Sequence, residues 1–330
     1  CFKKFKQISE LYNNFKKKIE SIKTKSFLIA TSGGPDSLAL VALCKALKYE
    51  KNNFIFFYIN INHGIRKNSF NESLKLKSML KKYEIDLKVI NNRKTIKNNI
   101  QHNARKIRYD LLYKECLKNN IKYILTAHHR DDQIETFLIR LSRGSGLQGL
   151  SSMEAETKLN KSVKIYRPFL HIKKSDLKTI SKKVFGTYLK DPSNKNYKFL
   201  RVKVRKLLPI LRKYGIEEEQ IIKSIDNLQS TSNTIKFYFD EIYRTIITKK
   251  SNKYLIKKSD FYSFNEEIKL KILGKTIRSL TKTYYPPRSK KLKNAIIALN
   301  AQGLKLNYNL SGCLISQNEN SISIKKVVKS

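Results

Sequence analysis

Ser32, Gly33, Gly34, Pro35, Asp36 and Ser37 stand consecutively between an apolar run and a stretch of helical spacing. Two adjacent glycines permit a tight turn that bares backbone N–H groups. The N-terminus of the following helix adds partial positive charge, so the string reads as a phosphate cradle. The hydroxyls of Ser32 and Ser37 can add donors. A Walker A loop would need Gly-Lys-[Ser/Thr], which is absent here, so the γ-phosphate chemistry of that loop is not implied. Asp36 would repel bare phosphate, which points to a Mg²⁺ ion bridging carboxylate and phosphate oxygens. The competing reading is a glycine turn in which Asp36 or Ser37 merely caps the helix.

A second cluster is His128-His129-Arg130-Asp131-Asp132, followed by Glu135-Thr136. His128 is the candidate for holding nucleotide or steadying phosphate charge, and an imidazole near its ordinary pKa of about 6.5 could also move a proton. His129 could share that work or simply pack. Arg105 and Arg108 lie three apart, hence on one helical face, where two guanidiniums could grip phosphate; a solvated basic face is the plain alternative. His63, in Asn62-His63-Gly64, follows an apolar run and could line a nucleotide site or belong to an ordinary loop. Arg143 with Gly144-Ser145-Gly146 makes a basic glycine loop suited to RNA, to covering a site, or to linking two elements. Arg201 and Arg205, four apart, share one helical face that is either a ligand surface or a solvated one.

These residues need a frame. Runs at 26–31, 54–60, 87–90 and 123–127 are short and rich in Ile, Phe and Tyr, which predicts strands; 37–49, 71–83, 99–119 and 131–142 carry helical spacing. Such alternation predicts an α/β fold with a doubly wound, mainly parallel, Rossmann-like sheet, its ligand site at the carboxyl ends of the strands. Beyond 150 the pattern weakens. Residues 161–215 hold 17 Lys+Arg against Asp176 and Asp191, a local net of +15. Residues 220–247 read helical, while 305–310 and 321–325 alternate like strands. The expected division is a catalytic domain over 1–150, a basic helical extension over 151–215 and a smaller α/β domain over 216–330.

The 330 residues carry 69 Lys+Arg and 26 Asp+Glu, a formal charge of +43. With 40% hydrophobic content the chain can bury a real core, which excludes a disordered polycation and favours a polyanionic partner. Of the 69 bases 55 are Lys, so compositional bias contributes as well. Cys1, Cys44, Cys116 and Cys313 form no CxxC, which suggests neither a disulfide framework nor a clustered metal site and fits a reducing cytoplasm. No signal-peptide core and no 18-residue apolar run is present, so a soluble chain without membrane partners is expected. Cys1 is given no function. Oligomeric state stays open, a homodimer included.

Ser-Gly-Gly-x-Asp-Ser after the first strand resembles the signature of the PP-loop, or N-type, ATP pyrophosphatases. Further strings narrow the likeness: Asn-Ile-Asn-His-Gly-Ile-Arg (60–66), Asn-Ala-Arg-Lys-Ile-Arg-Tyr (103–109), Ala-His-His-Arg-Asp-Asp-Gln-Ile-Glu-Thr (127–136) and Leu-Ser-Arg-Gly-Ser-Gly-Leu-Gln-Gly-Leu (141–150). With Arg-Pro-Phe-Leu (167–170), Asp-Pro-Ser-Asn (191–194) and Leu-Leu-Pro (207–209) they are similar, in order, to the motifs of the tRNA(Ile)-lysidine synthase family. The last third matches loosely, through Tyr-Pro-Pro-Arg-Ser-Lys-Lys (285–291).

The resemblance implies ATP and Mg²⁺ as cofactors, and a CAU-anticodon isoleucine tRNA and free L-lysine as partners. In the implied reaction, ATP adenylates the C2 oxygen of the wobble cytidine and the lysine ε-amine displaces AMP. It also implies that Asp36 and Asp132 hold the metal, that Arg108 and His128 act in catalysis, that the 32–37 loop and His63 contact ATP, and that Arg143, Arg201 and Arg205 contact tRNA. Three other readings stand beside it. A tRNA 2-thiolation enzyme would share the loop but usually needs paired cysteines. An amide-forming relative with Cys1 as nucleophile would need a whole domain before the loop. A non-enzymatic basic RNA-binding protein would leave the loop and the His-His-Arg-Asp-Asp string without a purpose.

Overall fold

Phe27, Leu28 and Ile29 are each 0% exposed, because the strand they form has helices against both of its faces. Phe27 and Ile29 join one core with Leu38, Leu40 and Leu177, while Leu28 joins another with Leu112, Ile124 and Val163. This two-sided burial explains why the strand reads as an unbroken apolar run rather than an alternation.

The computed structural model describes residues 6–64, 68–92, 100–160, 162–189, 200–283, 286–301 and 307–327. Cys1, the Ile65-Arg66 end of the 60–66 string, Asp191–Asn194 and Tyr285 lie outside the described residues. The chain divides into two units, Cys1–Gln229 and Ser230–Ser330.

The first unit runs α1 (Lys6–Glu20), β1 (Ser26–Ala30), α2 (Pro35–Glu50), β2 (Ile55–Asn62), α3 (Ser69–Lys81), β3 (Leu87–Asn91), α4 (Ile100–Lys118), β4 (Tyr123–Leu125) and α5 (Arg130–Leu141). It continues with α6 (Leu147–Leu150), β5 (Glu156–Lys158), β6 (Lys164–Tyr166), α7 (Lys174–Phe185), α8 (Leu200–Lys213) and the start of α9 (Glu218–Ile246). The sheet order is β3-β2-β1-β4-β6-β5, parallel except for β5 against β6. Strand order therefore reverses between β1 and β4. That is the switch point where a doubly wound sheet opens a crevice at its carboxyl edge. The expected doubly wound sheet is present. Two of its strands, β5 and β6, were not foreseen, because three-residue strands set among lysines carry no readable period.

α2 begins with Pro35 in its first turn and buries Ser37 through Cys44 without a break. A helix apolar all round belongs inside, here between the sheet, α1 and α7.

The second unit holds the rest of α9, then β7 (Ile247–Lys249), β8 (Lys253–Lys257), α10 (Lys258–Ser263), α11 (Glu266–Thr281), α12 (Ser289–Ala301), β9 (Asn307–Leu310), β10 (Cys313–Gln317) and β11 (Ser321–Lys326). Its five strands, in the order β7-β8-β11-β10-β9, are antiparallel. Ile315, Ile322 and Ile324 alternate inward against Ile272, Ile277 and Leu299 of α11 and α12, the period of two that made 321–325 legible.

Candidate active site

The cradle is set by two glycines doing different work. Gly33 turns with φ +83°, and a Cβ there would lie 2.7 Å from Leu189 Cδ1 and 3.2 Å from Leu76 Cδ2. Leu189 N also donates to Gly33 O at 2.9 Å, so neither a left-handed backbone nor the packing leaves room for a side chain. Gly34, in extended conformation, is the N-cap of α2. The Ser37 hydroxyl accepts from Ser32 N at 3.2 Å, donates to Gly34 O at 3.0 Å and lies 3.1 Å from Ser32 Oγ. Ser37 thus ties the strand's end to the helix's start. The helix behind this loop is a full 16 residues, so its N-terminal partial charge faces whatever the loop holds.

Across the switch point, the segment after β4 is fixed to the edge of β6 and the loop beyond. Thr126 N donates to Tyr166 O at 3.0 Å, His129 bridges Phe169, and Arg130 N donates to Ile172 O at 3.0 Å. His129, 2% exposed, is the N-cap of α5, and its N–H donates to Asp132 Oδ2 at 3.2 Å. Its Nε2 lies 3.5 Å from Asp36 Oδ2 and 3.5 Å from Asp132 Oδ2, and its Nδ1 lies 3.8 Å from Asp131 Oδ1. Burial alone would lower the His129 pKa. The hydrogen bond to Asp36 and the charges of Asp132, Asp36 and Asp131 outweigh that and raise it.

Asp36 and Asp132 therefore converge from the two strands that flank the crevice. Asp36 Oδ1 is buried with no hydrogen-bond partner among the described residues. Two carboxylates with a spare buried oxygen are the donors that Mg²⁺ takes from a protein when phosphate and water complete its shell. Among the described residues no three His, Cys, Asp or Glu side chains form a cage that could hold a metal unaided. The residues present thus fit an ion shared with a ligand.

Around His128 the charges are of the opposite sign. The pKa of His128 is driven well below the ordinary histidine value, first by burial and then by the charges of Arg167, Arg105, Arg108 and Arg201. His128 is therefore a neutral imidazole, and not one poised near 6.5; its Nδ1 lies 2.9 Å from Thr126 Oγ1. The pKa of His63 is lowered too, by burial and by Arg108, which puts the ends of β2 and β4 within the field of one guanidinium. Arg105 and Arg108 each lie 5.2 Å from the centre of the Tyr109 ring. Burial raises the Tyr109 pKa, but Arg108, Arg105 and Arg167 more than cancel this and bring it down. Four guanidiniums acting on one small volume make a basin for polyphosphate.

Arg167 was not among the expected site residues. It is 6% exposed and donates through one terminal nitrogen to Glu154 O and Thr157 Oγ1, both at 2.8 Å. Its string, Arg-Pro-Phe-Leu, was visible. Its place beside β4 was not, because that depends on the unseen β6.

The PP-loop domain family matches residues 5–211. The tRNA(Ile)-lysidine synthase of Wolbachia pipientis wMel is 34% identical over 302 residues, spanning 90% of this chain and 70% of the relative. The chain belongs to the tRNA(Ile)-lysidine synthase family. A chloroplastic member from Gracilaria tenuistipitata var. liui is likewise 34% identical, over 71% of this chain and 74% of its own length. Among solved structures, the U34-tRNA thiolase NcsA from Methanococcus maripaludis, with its 4Fe-4S cluster, is similar at a TM-score of 0.56 and 18% identity, covering 68% of this chain and 80% of that chain. That likeness is one of fold.

Within this lysidine synthase-family chain the residues expected at RNA divide. Arg143 is exposed at the end of α5, where Gly144, at φ +64°, and backbone bonds from Arg143, Gly144 and Ser145 to the helix make a built turn. Arg201 faces inward along α8, 4.0 Å from Asp132 Oδ1 and from Glu135 Oε2. Arg205 donates Nε to Glu135 Oε1 at 2.5 Å and a second nitrogen to Oε2 at 3.4 Å. Glu135 is 1% exposed, and burial raises its pKa even against Arg205. Arg205 is thus engaged in an internal pair that fixes α8 on α5, a role the spacing of basic residues did not disclose. Of the cysteines, burial drives the Cys44 thiol far up, Cys116 up to about 12, and Cys313 up, so none of the three is a ready thiolate.

Among the described residues, no helix is long and apolar enough to cross a membrane.

Proposed function

We propose that this chain ligates lysine to the wobble cytidine of a CAU-anticodon isoleucine tRNA at the expense of ATP, acting in the cytoplasm. The observation that carries this reading is the meeting of Asp36, in the 32–37 cradle, with Asp132 around His129 across the switch point, in a chain of this family. The loop and the N-terminus of α2 take the phosphates of ATP. Asp36 and Asp132 hold Mg²⁺, which when bound neutralises charge on the phosphate oxygens. Arg108 and the neutral His128 steady charge on the α-phosphate as the cytidine C2 oxygen attacks and pyrophosphate leaves. The ε-amine of lysine, having lost a proton, then attacks C2, and AMP departs with the C–O bonding pair. His63 borders the nucleotide, and Arg143 lies toward the RNA.

Thiolation is the weaker reading, because it needs nucleophilic sulfur and Cys44, Cys116 and Cys313 are buried thiols. The deciding experiment supplies ATP, Mg²⁺, radiolabelled lysine and a CAU-anticodon isoleucine tRNA transcript. Lysine is expected to enter the RNA with one AMP and one pyrophosphate released per lysine. Label that stays free, with another amine or a sulfur donor incorporated instead, defeats the proposal.

A further inference from the structure

α8 has two faces of opposite kind. Val202, Val204 and Leu208 pack inward, and Arg201 and Arg205 point to the carboxylates of α5. The outward face carries Lys203, Lys206 and Lys213, all exposed, interleaved with Leu207 at 41%, Ile210 at 53% and Tyr214 at 77% exposure. Tyr214 continues that face, its N–H donating to Ile210 O. Positions 203, 206/207, 210 and 213/214 fall at helical spacing and run for roughly 16 Å along the axis.

Six of the fourteen residues of α8 are Lys or Arg and none is acidic. Arg212 pairs with Glu217 and Glu218, but Lys203 and Lys213 meet no carboxylate among the described residues. Like charges at i, i+3 oppose a helix, and three apolar side chains on the same exposed face gain nothing from water. Both costs vanish against a polyanion that offers flat apolar surfaces, which is the chemistry of RNA with unstacked bases. A second copy of the chain would set cation against cation.

We infer that the outward face of α8, through Lys203, Lys206 and Lys213 with Tyr214 as a stacking platform, is a tRNA-docking surface. This rests on the function proposed above and relocates the RNA contact from the inward arginines to the opposite side of the same helix.

The test is filter binding of the CAU-anticodon isoleucine tRNA at several salt concentrations, with the wild-type chain, the triple variant K203Q/K206Q/K213Q, the triple Lys→Arg variant and Tyr214→Ala. The Gln variant should bind at least tenfold more weakly, with a salt slope shallower by roughly 2–3. The Arg variant should recover both. Tyr214→Ala should weaken binding without changing the slope, and ATP binding should be unaltered throughout. An affinity and slope shared by the wild type and the Gln variant overturn this surface alone; a wild-type chain that binds no tRNA overturns the function as well. A Gln variant whose only change is in self-association, or in binding to phosphatidylglycerol vesicles, overturns it too.

Discussion

Asp36 and Asp132 each bring one carboxylate oxygen to within 3.5 Å of the same atom, Nε2 of His129. One carboxylate follows β1 and the other follows β4, so a single buried imidazole marks where the two halves of the site close on each other. Under the proposed function the two carboxylates share an ion and so act as one unit. Asp36→Asn and Asp132→Asn should each lower lysine incorporation by roughly 10²–10³-fold. The double variant should lose little more than either single one, because residues acting together are not additive. Single-turnover pyrophosphate release measures this. Losses that multiply would mean that the two carboxylates act independently.

Gly33→Ala meets two separate obstacles, a φ of +83° and a contact of 2.7 Å with Leu189 Cδ1. The left-handed conformation alone costs about 1–2 kcal/mol, and the clash adds to it. Leu189→Ala in the Gly33→Ala background removes the closest contact and leaves the backbone strain and the 3.2 Å approach to Leu76 Cδ2 in place. Urea denaturation should therefore show the double variant more stable than Gly33→Ala, yet below Leu189→Ala. Full restoration would mean that backbone strain plays no part.

The Arg205–Glu135 pair should respond unevenly to the loss of either partner. Glu135 is 1% exposed, whereas the Arg205 side chain is 30% exposed. Arg205→Ala leaves the buried carboxylate with only the longer contact to Arg201, 4.0 Å away, and should cost about 3 kcal/mol. Glu135→Gln leaves a guanidinium that water can reach, at a cost of about 1 kcal/mol. Equal losses in chemical denaturation would refute the asymmetry.

The frame of the site was legible because its signals are local. Apolar strands buried on both faces and long helices of regular period gave β1 to β4 and α2 to α5 to within a few residues, and the glycine pair marked the loop. What stayed hidden depends on partners distant in sequence. Arg167 matters through its place beside β4, and β5 and β6, which set that place, are too short to show a period. Arg201 and Arg205 share a helical face as their spacing implied, but that the face turns toward Glu135 depends on how α8 packs against α5. The run of two histidines favoured His128 and left the part of His129 open. The structure separates them by neighbours, carboxylates around one and guanidiniums around the other.

His63 and His128 give that separation a consequence for pH. Burial comes first for both, with Arg108 added at His63 and Arg167, Arg105, Arg108 and Arg201 at His128, so each folded-state pKa lies below the ordinary value of about 6.5. As pH falls below 6.5, the unfolded chain takes up protons that the folded chain refuses. Stability must then fall with pH until the folded values are reached, and these two residues add no pH dependence well above 6.5. Gln cannot take up a proton, so His128→Gln should flatten the acid limb of the stability curve between about pH 6.5 and 5 while leaving its course above pH 7 unchanged. His63→Gln should do the same more weakly, since only one charge opposes it. Thermal unfolding of the three chains across this range tests the sign directly: an acid limb as steep in His128→Gln as in wild type would show that His128 takes its proton as readily folded as unfolded, and the guanidinium basin would lose its electrostatic support.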